Sequence, residues 1–201
     1  MRQHRSIFLS AGVPDPSAKH FMGEGDTAAI SALVSALLFV ALGRRPIVWG
    51  GHPAITPMVW AYAEALNVDY SKWITLYQSE FFQDDFPEEN NRFGNVIVTE
   101  AVNGDREQSL AVMRRRMLSE NEFEAAVFAG GMAGIFDEYR LFVELAEGAA
   151  VLPIVSTGGA AALLGKEIMA SSDFANELDY VALLFDRLAI DPNEPRELAG
   201  H

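Results

Sequence analysis

Ala125-Ala126-Val127-Phe128-Ala129-Gly130-Gly131-Met132-Ala133-Gly134 carries a short apolar run directly into a cluster of glycines. Consecutive apolar residues without alternation suit a strand covered on both faces, and residues 134–147 that follow have helical period. A strand at 125–128, a glycine turn and a helix make one βα unit. The unit recurs outward in both directions: residues 6–11, 46–49, 73–78, 95–99 and 151–155 read as strands, and residues 26–43, 54–66, 106–119, 160–170 and 179–189 as helices. Strands alternating with helices predict an α/β class with a doubly wound, mainly parallel sheet. The helix at 26–43 is apolar on several faces, so deep burial is expected, with Gly43 as its stop. In the helix at 54–66, Pro57 is tolerable only in the first turn.

Composition bounds what such a fold is used for. With 201 residues, 50% hydrophobic and 21% charged, the chain suits a single domain, expected over residues 1–190, that needs neither metals nor cross-links. Residues 191–201, with Pro192 and Pro195, are expected to form a frayed tail. The absence of cysteine rules out disulfides, thiolate metal sites and a cysteine nucleophile. Four scattered histidines, no His-x-x-x-His pair and no dense carboxylate cluster give no reason to expect a metal or other cofactor. The longest apolar run, residues 30–42, is broken by Ser31 and Ser35 and is too short for a bilayer. No signal-peptide pattern precedes Ile7, so a cytoplasmic location is expected. A net charge of −13 opposes association with nucleic acid or an anionic membrane, and Arg114-Arg115-Arg116 is the basic run that interrupts it.

In open parallel sheets, ligands collect outside the carboxyl ends of the strands, where helices begin and their amides point outward. Here those ends carry small residues: Ser10-Ala11-Gly12, Gly50-Gly51-His52, Gly130-Gly131-Met132-Ala133-Gly134 and Ser156-Thr157-Gly158-Gly159. One glycine pair is ordinarily a tight turn; four on one edge predict a pocket rim where an anion such as phosphate reaches backbone amides. No stretch matches the Walker loop or the spaced dinucleotide fingerprint. The candidate ligand contacts are Ser10, Ala11, Gly12, Gly50, Gly51, His52, Pro53, Thr56, Arg114, Gly130, Gly131, Met132, Gly134, Thr157 and Gly158. For Ser10, Thr56 and Thr157, capping or turn formation accounts equally well for the hydroxyl. Neighbouring helical residues point about 100° apart, so one or two of the three arginines face the pocket, Arg114 first among them. Residues 79–92, acidic, aromatic and proline-bearing, are too long for a tight connection and read as a lid or a partner surface.

Two motifs give this pattern a family resemblance. Met113-Arg114-Arg115-Arg116 on a helix, followed by Gly130-Gly131-Met132-Ala133-Gly134-Ile135-Phe136-Asp137-Glu138 after a strand, resembles the Met-x-x-Arg-Lys and Pro-Gly-Gly-x-Gly-Thr-x-x-Glu motifs of the LOG phosphoribohydrolases. The spacing is stretched by one residue, and Ile135 replaces the small hydroxyl residue, so either Asp137 or Glu138 stands in for the glutamate. Phe8-Leu9-Ser10-Ala11, Gly50-Gly51-His52-Pro53-Ala54-Ile55-Thr56-Pro57 and Tyr77-Gln78-Ser79 are similar to the branch of the SLOG superfamily found in bacterial conflict and defence loci. The resemblance implies a modified Rossmann-like domain and either a sensor of an ADP-ribose-type nucleotide or a nucleotide N-glycosidase. For the enzyme it implies Glu138 acting on water or an oxocarbenium-like centre while Arg114 or Arg116 holds phosphate. It further implies a homo-oligomer and, for a sensor, an effector protein encoded nearby. A third reading is a non-catalytic subunit that docks a partner through residues 79–91.

Overall fold

Seven residues, Ser6–Gly12, form the first strand, β1, with Ile7 and Leu9 on one side of the sheet and Phe8 on the other. It leads to α1 (Thr27–Ala41), β2 (Ile47–Trp49), α2 (Thr56–Ala65), the single-turn α3 (Tyr70–Trp73) and β3 (Ile74–Ser79). Two 3-10 stretches, Glu80–Asp85 and Glu88–Arg92, then precede β4 (Val96–Thr99). The remainder is α4 (Arg106–Ser119), β5 (Phe123–Gly130), α5 (Gly134–Leu145), β6 (Ala150–Ile154), α6 (Gly159–Ile168) and α7 (Tyr180–Arg187). This computed structural model describes residues 5–19, 21–168 and 177–199. Positions 169 and 170 of the expected helix 160–170, and 200 and 201 of the expected tail, lie outside them. No described helix is long and apolar enough to cross a membrane.

The sheet order is β4-β3-β2-β1-β5-β6, and every pairing is parallel. Right-handed crossovers explain the layers. From β1 the chain steps outward to β2 and β3 with α1 and α2 on one face. It returns from β4 to β5 by α4 on the other face, where α5 and α6 also pack. Each face has its own core, one built around Leu33, Leu37 and Trp49 and the other around Phe8, Phe128 and Phe142. α1 is apolar all round because it lies between the sheet and α7, as its sequence predicts. Asp26 caps it, accepting from the Ala29 amide at 2.9 Å.

The segment after residue 191, expected to fray, is instead pinned over its described part. The Arg44 Nε donates to the Glu194 carbonyl at 2.7 Å, the Glu197 amide to the Gly43 carbonyl at 2.8 Å and the Ala199 amide to the Asn67 carbonyl at 2.9 Å. Arg45, with a side chain only 11% exposed, pairs with both Glu124 and Glu194. A largely buried arginine demands carboxylate partners, and the tail supplies one of them. Reading the prolines as a sign of fraying overlooked this pull from the amino edge of the sheet.

Because the chain moves one way from β1 and the other way from β5, those two strands form the switch point of the sheet. Their pairing runs to Gly12 opposite Gly130, and the Gly131 amide then donates to the Gly12 carbonyl at 2.7 Å. A crevice must open above this point, since the chains leaving the two strands diverge.

Candidate ligand-binding site

A cavity of about 1150 Å³ occupies that crevice. Ser10, Ala11 and Gly12 of β1 form its floor, with Gly50, Gly51, His52, Pro53 and Thr56 on one side. Gly131, Met132 and Gly134 with Arg114 of α4 stand on the other. Gly130, Thr157 and Gly158 of the predicted set do not line it. The Gly130 amide donates to Thr157 Oγ1 at 2.9 Å, and the wholly buried Thr157 hydroxyl donates to the Ile154 carbonyl at 2.6 Å. Gly158 bridges to Gly25, and the Gly159 amide donates to the Glu24 carbonyl at 2.8 Å. The turn after β6 is thus covered by the chain entering α1. Its small residues serve this close packing, so three of the four predicted strand ends meet the cavity, joined by Gln78 and Ser79 at the end of β3.

The Gly50-Gly51 turn is held by β3. Gln78 Nε2 donates to the Gly50 carbonyl at 2.7 Å, and a Cβ on Gly51, whose φ is +70°, would lie 2.2 Å from that nitrogen. Only glycine allows this clasp. His52 then closes the start of α2: its carbonyl accepts from the amides of Ile55 (2.9 Å) and Thr56 (2.8 Å), and its Nδ1 accepts from the Ala54 amide at 3.2 Å. Since Nδ1 accepts from a backbone N–H, the proton of the neutral ring sits on Nε2. The ring lies against Gly12 and presents a neutral donor to the cavity. Thr56 Oγ1 donates to the His52 carbonyl at 3.0 Å, and Ser10 Oγ donates to Glu138 Oε2 at 2.5 Å. The hydroxyl protons of Ser10, Thr56 and Thr157 are therefore all committed within the protein.

Burial holds the His52 imidazole below its ordinary pKa of 6.5. As pH falls below 6.5 the unfolded chain takes up a proton that the folded one resists, so stability falls with it. His52→Gln is expected to reduce this loss, read as a smaller difference between urea midpoints at pH 7.5 and pH 5.5. An unchanged difference would remove His52 as its cause.

α1, α3, α4 and α7 carry Asp26, Asp69, Asp105 and Asp179 as side-chain caps, whereas α2 and α5 begin at Ile55 and Ala133 with no side-chain cap. In α2 the Ile55 and Thr56 amides are taken up by the His52 carbonyl. Among the described residues, the amides of Met132, Ala133 and Gly134 donate to nothing. They end a helix whose dipole favours negative charge there. Arg114 reaches the same place: its Nη2 would lie 2.5 Å from a Cβ on Gly134, so this glycine makes room for the guanidinium. Its Nε donates to Glu138 Oε1 at 3.1 Å, and its Nη1 lies 3.4 Å from Asp137 Oδ2. The side chains of Arg114 and Glu138 are 12% and 17% exposed, against 49% for Asp137. Of the two acids the sequence left open, Glu138 is thus the one inside the site and Asp137 the one at its rim. Arg115 and Arg116 point elsewhere, pairing with Glu144 and Glu120.

Residues 79–92 bring Phe82, Asp85, Phe86 and Pro87 to the cavity, facing α4 residues Leu110 and Met113. The Arg106 guanidinium lies 5.7 Å from the Phe82 ring centre. None of these side chains was among the candidate contacts. The one signal available was the presence of two phenylalanines four apart in an acidic stretch without core periodicity. Among the described residues, no three of His, Asp and Glu converge as a cation site.

The sequence model of the SLOG cluster3 family matches residues 20–188. No curated protein and no solved structure matches the chain.

Proposed function

Because the chain belongs to the SLOG cluster3 family, we propose that its strand-end cavity binds a nucleotide-derived small molecule of the ADP-ribose or cyclic ADP-ribose type. Family membership carries nucleotide-related binding or processing as the coarse function. The observation that carries the finer reading is the meeting of three unpartnered amides, Met132 to Gly134, with Arg114 Nη2 at one helix start. Backbone donors and a guanidinium around one point suit a phosphate or pyrophosphate. Floor residues Ala11 and Gly12 and the Gly50-Gly51 turn leave room for the sugar, with the His52 Nε2–H as a neutral donor to ribose oxygens. Binding of this kind is a sensing event in a bacterial defence or stress-signalling context, in the cytoplasm, passed on through a homo-oligomer or an effector encoded nearby.

A second reading is favoured by the Ser10–Glu138–Arg114 chain, which places a carboxylate and a guanidinium at the cavity wall as breakage of an N-glycosidic bond requires. Against it, both Glu138 oxygens are already engaged within the protein, Oε1 by Arg114 Nε and Oε2 by the Ser10 hydroxyl, so neither is left free to take a proton from water. Sensing is therefore the conclusion. Incubation with AMP, NAD, ADP-ribose and cyclic ADP-ribose, followed by melting temperature and released base, tests it. A ligand at a hundred times its Kd contributes about 2.7 kcal/mol, a rise of roughly 5–10 °C for a chain of this size. Stabilisation without release is expected; base release that Glu138→Ala abolishes would replace sensing with hydrolysis. Neither response from folded protein would leave a partner-docking role.

A further inference from the structure

The cavity runs along α4. Arg106 and Arg114 both line it, and eight residues of helix span about 12 Å. Arg114 marks the end with the α5 amides. Arg106 marks the other, where its guanidinium covers Phe82. The two ends differ in chemistry as well as position. Phe82 and Phe86 belong to neither core cluster, although both are half-buried and line the cavity. Phe82 makes an edge contact with Phe81 at 5.0 Å, whereas Phe86 has no aromatic partner among the described residues. Large apolar rings that serve no core and stand at a cavity wall are placed to meet something that enters it. Asp85 lies beside them, exposed, lining the cavity and without an ion pair or side-chain hydrogen bond among the described residues.

The segment carrying these groups is fixed at both ends. Ser79 Oγ accepts from the Phe81 amide at 3.3 Å, Asn90 and Phe93 are buried, and the Arg92 guanidinium lies 5.5 Å from the Trp60 ring centre. It therefore presents Asp85 and Phe86 as a wall rather than as a free loop.

We infer that residues 82–86 form a heterocycle subsite, in which Phe86 stacks on a planar base and Asp85 accepts from its exocyclic amino group. An ionised carboxylate only accepts hydrogen bonds, so it favours a base that offers an amino group and disfavours one that offers a carbonyl at the same place. The ligand class is thus an amino-bearing nucleotide whose phosphates lie about 12 Å from its base, the span set by α4. This rests on the nucleotide reading above.

Calorimetric titration with ADP-ribose, its hypoxanthine counterpart and ribose 5-phosphate tests it on the whole chain, with folding followed by circular dichroism. ADP-ribose is expected to bind about tenfold tighter than the hypoxanthine compound, the value of one charge-assisted bond at an exposed acid. Asp85→Ala is expected to bring the two affinities together. Phe86→Ala is expected to weaken ADP-ribose by about tenfold, as loss of one stacked base does, and to leave ribose 5-phosphate unchanged. Equal binding of ADP-ribose and its hypoxanthine counterpart by the native chain overturns the subsite while leaving the nucleotide reading intact. So does an equal effect of Phe86→Ala on ADP-ribose and ribose 5-phosphate. If no phosphate ligand binds to folded protein, both fail together.

Discussion

Arg114→Ala is expected to weaken ADP-ribose binding by roughly a hundredfold, the consequence of removing a charge-assisted donor from a desolvated phosphate site. The guanidinium is 12% exposed and shares its position with the first amides of α5, so no neighbouring side chain can replace it. The same substitution leaves the Glu138 carboxylate, 17% exposed, with the Ser10 hydroxyl as its remaining partner. Loss of a fully buried partner costs about 3–5 kcal/mol, and the solvent still reaching Glu138 reduces this to about 2 kcal/mol. Arg114→Lys keeps the charge but not the fork that serves Glu138 and the helix start together, so only part of the affinity is expected to return. Titration calorimetry and urea unfolding separate the two effects. Unchanged affinity in a folded Arg114→Ala protein would take the arginine out of the site.

Gly130→Ala is the second large effect, and it acts on the switch point. Gly130 has a φ of +55°, and a Cβ there would lie 2.5 Å from the Gly12 carbonyl oxygen and 2.4 Å from Ile30 Cδ1. Backbone strain and overpacking of the β1–β5 junction together are expected to cost about 3 kcal/mol, or roughly 6–12 °C in melting temperature. Gly104→Ala supplies the comparison: its φ is +67° and nothing lies within 4 Å of the added carbon. It isolates the strain, expected at about 1 kcal/mol. Equal losses at the two positions would show that the contact with Gly12 contributes nothing.

The layers were legible because the periodicities were clean. Buried parallel strands appear as apolar runs, as residues 125–129 of β5 do, and α1 announces its deep burial by being apolar on several faces. Strand and helix boundaries shifted by at most two residues, as at β5, where Phe123 and the glycine after Ala129 extend the pairing. The site was legible where small residues mark strand ends. It was not legible where small residues serve packing, since Gly158 beneath residues 24–26 and Gly51 beside Gln78 have the same sequence appearance. Nor could spacing decide between Asp137 and Glu138, because a stretched glycine turn changes which of two adjacent helical residues points inward. The C-terminal strap and the aromatic wall escaped for a related reason: both depend on partners distant in sequence, Arg44 and Arg45 for one and α4 for the other.

The helix that begins at Ala133 sets stability and function against each other. A capping serine, threonine or aspartate in place of alanine strengthens a helix start by about 1 kcal/mol. An aspartate there would also lodge a permanent negative charge where the ligand's own is to sit. The four Asp-capped helices make clear that the fold uses such residues freely. On the proposed function the small molecule supplies the cap that α5 lacks, and occupancy of the site is then expected to register first as the firmness of α5.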